Sequence, residues 1–168
     1  MKKVFCIILA IVISIGGVVP WVYTIVKSIQ FDVACGDYLR LAADANSIDI
    51  AEKHLSTAID YMEKNDMTSG YTKIFVYHPK NDFSLWYENL KTAQTQLLEN
   101  INTDYTELEE SNVLMKLRET LLDGEGYLTH PFGVSIKHNF TLWFWLNNIL
   151  WLPCFIAAII LFYLSSCF

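Results

Sequence analysis

The chain has 168 residues, 53% hydrophobic and 18% charged, with a mean hydropathy of +0.28, a balance too apolar for an ordinary soluble domain of that size. Its formal net charge is −6, and all 18 acidic residues lie between Asp32 and Glu125, against 10 basic residues from Lys27 to Lys137. Phosphate recognition needs clustered Lys and Arg, whereas here they stand singly apart from Lys116 and Arg118, which argues against nucleic acid and against anionic headgroups as partners of this middle segment.

Residues 1–3 form a short basic tail, and from Val4 to Val26 there are 23 residues without a charge. As a helix that run reaches roughly 34 Å, the thickness of a bilayer core, and it predicts a first transmembrane helix over 4–26. Lys2 and Lys3 before an apolar run resemble a secretory signal, but the run exceeds the usual h-region and no small-x-small cleavage pattern closes it. The expectation is therefore an uncleaved signal anchor. Lys2, Lys3 and the terminal amine precede the run and Lys27 alone follows it, so the positive-inside bias favours a cytoplasmic N-terminus. Gly16, Gly17 and Pro20 predict a mild bend, and Trp21 and Tyr23 an aromatic belt at the outer interface.

Residues 27–140 then form a periplasmic or extracellular domain. Ile25, Ile29, Val33, Ala34, Tyr38, Leu41, Ala42 and Ala45 keep a helical period with only Gly36 as a breaker before Asn46, which predicts that the first span continues into the domain. Asn46 and Ser47 make a turn. Asp49 and Glu52 have capping-box spacing, and Ala51, Leu55, Ala58, Ile59 and Met62 supply the stripe of a helix ending near Asn65. The connection 66–81 contains Ser69, Gly70 and Pro79, with β-prone residues from Tyr71 to Tyr77 that predict a short strand. Asp82 caps a third helix with the stripe Phe83, Trp86, Leu90, Ala93, Leu97 and Ile101. A fourth, from about Thr106 to Leu122, stops at Asp123 and Gly124, with fusion of the two through Asn102 and Thr103 as the alternative. An extended segment follows from Glu125 to Phe140.

Thr141 to Phe168 supplies 28 further uncharged residues and predicts the second transmembrane helix, which returns the C-terminus to the cytoplasm. Trp143, Trp145 and Trp151 fit an interfacial belt, and Asn147 and Asn148 place two amides in an apolar helix. An unpaired amide is costly in hydrocarbon, so Asn147, Asn148 and Trp151 are expected contacts for a membrane partner. The fold class expected is all-α: two transmembrane helices flanking an up-and-down bundle of about four helices, with a short extended or β-like connection.

The strings CGDYLRLAADANSIDIA (35–51), SGYTKIF (69–75), FSLWYENL (83–90) and SNVLMKLRETLLD (111–123) resemble segments of uncharacterised bacterial two-pass membrane proteins. That resemblance implies a bacterial inner-membrane protein and carries no activity, ligand or site residue. The order span, four-helix bundle, span is also similar to the sensor domains of bacterial chemoreceptors. The expected difference is that no cytoplasmic signalling helices follow the second span.

Catalytic and metal patterns are sparse. His54, His78, His130 and His138 include no pair at the i, i+3 or i+4 spacing of helical metal ligands, and a site of His130 and His138 with Glu125 is weighed below simple surface histidines. Cys35 stands on the helical stripe beside Ala34, where a buried thiol is favoured over an interchain disulfide. Glu107, Glu109 and Glu110 complement the dipole of the fourth helix. No Ser, His and acid arrangement suggests a hydrolase, and neither a cofactor nor a metal is expected. The richest feature is aromatic: Tyr71, Phe75, Tyr77, Trp86 and Tyr87, with Phe83, form core or a surface for a ligand or partner. The expected role is a non-enzymatic accessory or protein-interaction subunit, lipid-embedded and bound to a membrane protein or a second copy. The alternative is a sensor or binding module whose bundle holds a small ligand and signals through a partner in trans.

Overall fold

The computed structural model describes residues 2–72, 79, 82–101, 106–131, 134, 153, 155–160, 162 and 163. It is all-helical among them, and the chain divides into two units, one comprising 1–27 with 139–168 and the other 28–138.

Helix α1 runs over Lys2–Phe31 and passes into a π turn, Asp32–Gly36, followed by α2, Asp37–Ala43. The backbone N–H of Asp37 reaches the carbonyl of Asp32, the five-residue bond that defines the wider turn. The expected continuation of the first helix is thus present, with Gly36 widening the helix instead of breaking it. The face turned inward differs from the expected one. Ile25, Ile29, Val33 and Leu41 are exposed, while Phe31, Cys35, Leu39, Ala42 and Ala43 are buried. Residues four apart drift by about 40° on a regular α-helix; the wider π turn reduces that drift and keeps Phe31, Cys35 and Leu39 on one side.

α3 spans Ile48–Lys64 and buries Ile48, Ala51, Leu55, Ala58, Ile59 and Met62, the expected stripe extended by one turn. The expected Asp49–Glu52 capping box is not formed. Ser47 is the N-cap and makes no side-chain cap, and Glu52 instead accepts from Ser56 one turn later. α4 spans Phe83–Ile101. Asp82 caps it as expected, its Oδ1 accepting the Ser84 N–H at 2.9 Å. α5 spans Glu107–Leu121 and opens on a complete capping box between Thr106 and Glu109. Because Thr106 is extended, α4 and α5 are separate helices and the fused alternative falls.

α3 packs against α2, α4 and α5, so it is the centre of the domain. Among the described residues, the core cluster of the domain runs from Phe31 to Val134. A polar relay joins α3 to α4, Gln94 Nε2 donating to Ser56 Oγ at 2.7 Å and Ser56 in turn to Glu52. Of the expected strand 71–77, the described part is a single antiparallel bridge between Tyr71 and Asp82; 73–78 lie outside the described residues. The segment after α5 turns at 123–126, with Gly126 at φ +86°, and Leu128 returns to bridge Leu122.

In the other unit, the uncharged run 4–26 is helical throughout, and Phe155–Ile160 are helical as well. Among the described residues no helix is long and apolar enough to cross a membrane.

Candidate ligand and partner surfaces

The aromatic set does not form one surface. Phe83 is core, its N–H donating to the Gly70 carbonyl at 2.8 Å, which ties the start of α4 to the connection before it. Trp86 and Tyr87 are adjacent on α4 and leave it on different sides. Tyr87 reaches α3, where its hydroxyl donates to Glu63 Oε1 at 2.5 Å beside Lys91 Nζ at 3.4 Å. Burial and the Glu63 carboxylate push the Tyr87 phenol up to about 12, and the bonds from Tyr87 and Lys91 hold Glu63 below the usual carboxylate range. Tyr71 is exposed at the bridge to Asp82. Phe75 and Tyr77 lie outside the described residues.

Trp86 turns to the segment that follows α5. Its indole meets Phe83 edge to face at 5.9 Å and the His130 imidazole at 6.4 Å with planes 70° apart. His130 in turn packs its ring against Phe31 at 6.0 Å, and Phe31 against Tyr61 at 6.5 Å. An open cavity of about 450 Å³ lies here, with Asp82, Leu85, Trp86 and Asn89 on its α4 wall and Thr129 and His130 opposite. Asp82, Leu85, Trp86 and Asn89 are one face of a helix by their spacing of three and four. The Asp82 carboxyl is held below the usual range, first by the Ser84 hydroxyl, then by backbone N–H groups of Ser84 and Leu85 and by the Tyr71 side chain. Sequence reasoning found Trp86 but missed Asp82 and Asn89 as its facial neighbours, a pattern the helical spacing already contains. His130, which the sequence suggested only for a site with His138 and Glu125, reaches Trp86 from a segment more than forty positions downstream.

A second open cavity, about 520 Å³, lies between the end of α2 and α5, lined by Asp44, Asn46, Glu110, Leu114 and Arg118 among others. Arg118 pairs with Asp44 at 3.0 Å, and Glu110 Oε1 accepts the Ile48 N–H at 3.3 Å.

Cys35 is fully buried, its Sγ lying 3.8 Å from the Ala58 carbonyl, and burial pushes its thiol up to about 12. The expected buried thiol is what the fold contains. Glu125 sits on the exposed turn after α5, with its N–H on Asp123 Oδ1 at 3.0 Å, so it does not join His130; His138 lies outside the described residues. Among the described residues no group of three or more His, Cys, Asp and Glu stands together as a metal site requires. Asn147, Asn148 and Trp151 also lie outside them.

No family model matches the chain, and neither a curated protein nor a solved structure matches it.

Proposed function

We propose that the chain is a bacterial inner-membrane protein that carries a helical extracytoplasmic domain on two spans, 4–26 and 141–168, and acts as a non-enzymatic accessory subunit binding another membrane protein. The observation that carries this is the surface of α1. Val4, Ile8, Ile11, Val12, Ile15, Val18, Val19 and Val22 are all about half exposed, from 45% to 61%. That stripe subtends roughly 120° of helix, far more apolar surface than a protein leaves in water. A bilayer covers it at no cost.

Two further features support the reading. The two apolar ends of the chain group into one compact unit, as two packed spans in a membrane would. Trp21 and Tyr23 stand near the end of the uncharged run, and Lys27 places its ammonium 5.9 Å from the Tyr23 ring centre, the arrangement of an interfacial belt with a snorkelling lysine.

The test is photo-cross-linking in membranes from a probe at Trp151. A discrete cross-linked protein, lost when Asn147 and Asn148 are changed to Leu, is the expected result. Lipid adducts alone would refute the partner. A chain that leaves the membrane fraction in alkaline carbonate would refute the spans.

A further inference from the structure

We infer that the cavity between the Asp82–Asn89 face of α4 and the Thr129–His130 segment binds a small organic ammonium group. The site is independent of the partner proposed above, because only side chains of the domain form it.

Three features of the cavity select that chemistry. The first is charge. Asp82 contributes a carboxylate to the wall, and the lining contains neither Lys nor Arg among the described residues. Around it lies a segment in which 18 acidic residues outnumber 10 basic ones, a field that concentrates cations and repels anions. The second is the ring geometry. Trp86 and His130, both in the lining, meet edge to face at 6.4 Å, with Phe83 against Trp86 and Phe31 against His130 in the same manner. An indole face is the best neutral partner for a cation among the aromatic side chains. The third is hydrogen-bonding polarity. His130 Nδ1 lies 3.2 Å from the Pro131 carbonyl. A carbonyl only accepts, so Nδ1 is the donor of this contact. The acceptors of the lining are the Asp82 carboxylate, whose Oδ1 also takes the Ser84 N–H and hydroxyl, and the amide oxygen of Asn89. A volume of about 450 Å³ suits a ligand of a few heavy atoms to a modest amine.

The same chemistry reaches the site from two sources, a dissolved amine or the ammonium of a zwitterionic lipid headgroup. The experiment separates them. The full chain in a maltoside detergent, which contributes no ammonium, is titrated calorimetrically with choline, with propylammonium, and with 3,3-dimethylbutan-1-ol, the uncharged carbon isostere of choline. A short-chain phosphatidylethanolamine is the fourth titrant. Saturable binding of an ammonium compound, at least tenfold tighter than the alcohol, is expected. Preference for the phosphatidylethanolamine over both free amines assigns the headgroup; preference for a free amine assigns the dissolved ligand. Asp82→Ser keeps an N-cap while removing the charge, and Trp86→Leu keeps an apolar residue while removing the ring; each is expected to weaken binding tenfold or more with the circular dichroism spectrum unchanged. Failure of all three ammonium titrants to bind, equal binding of the alcohol, or undiminished binding by both folded variants would overturn the proposal.

Discussion

The Glu110 carboxylate of α5 accepts the backbone N–H of Ile48, the first residue of α3, at 3.3 Å across 62 residues of sequence. Ser47 is in capping position but leaves its side chain unused, so the start of α3 is capped by another helix. Replacing Glu110 with Ala is expected to destabilise the domain by about 1 kcal/mol, the ordinary worth of an N-cap. Ser47→Asp in the same chain supplies the missing local acceptor and restores most of that loss. Denaturant midpoints of the three proteins check both statements, and an unchanged midpoint in Glu110→Ala removes the long-range cap.

Burial of Cys35 has a signed consequence for pH. The thiol rises from its ordinary value near 9.0 to about 12 on folding, so the unfolded chain gives up its proton first. The stabilisation is complete below pH 9 and is lost as the pH rises from 9 towards 12. The full difference amounts to roughly 4 kcal/mol at the upper limit. Cys35→Ala is expected to flatten that part of the stability curve while opening a small cavity. In the native protein at pH 8, the peptide containing Cys35 should resist iodoacetamide and should form no interchain disulfide, measured by mass spectrometry and a non-reducing gel.

Tyr87 and Lys91 both meet Glu63, with different expected weights. Tyr87→Phe removes a hydroxyl from a charge-assisted bond and is expected to cost about 1 kcal/mol. Lys91→Ala breaks an exposed pair at 3.4 Å and is expected to cost well under 1 kcal/mol, less still in high salt. Urea unfolding at two salt concentrations distinguishes them.

Much of this architecture is readable from residue order alone, because it is local. Asp82 and Thr106 mark the starts of α4 and α5 through side chains acting within three residues, and the α3 stripe repeats at helical spacing. Where the reading went astray, the deciding partner was distant. Nothing near Glu52 announces that Gln94 of α4 donates to Ser56, whose own hydroxyl then goes to Glu52, and nothing near Ile29 says that the core lies on the side of Phe31. The aromatic cluster was visible as composition, yet adjacent residues on a helix point about 100° apart, so Trp86 and Tyr87 serve different neighbours. His130 joined the site through tertiary packing, for which periodicity carries no signal.

The proposed bilayer contact of α1 makes a further prediction at Ile15, midway along the uncharged run and 57% exposed. Ile15→Arg is expected to oppose insertion by about 3 kcal/mol. Membrane fractionation should show a large part of the variant lost from the carbonate-resistant pellet, whereas Ile15→Leu should remain there. Equal retention of the two would remove the exposed stripe as a lipid contact.

The π turn at 32–36 also leaves a mark on what the gene tolerates. A wider turn is one residue more than a regular helix needs, which amounts to a single codon in the reading frame. Deleting the Val33 codon would let the backbone close as an ordinary helix, hydrogen bonds intact, with Phe31 and Leu39 then seven residues apart and within about 20° of each other around the axis. Helix content and the joint burial of Phe31, Cys35 and Leu39 should both survive that deletion, whereas loss of a residue from the regular turns on either side would rotate the flanks by about 100°. The tract from Asp32 to Gly36 should therefore tolerate the loss of one codon better than the helix around it.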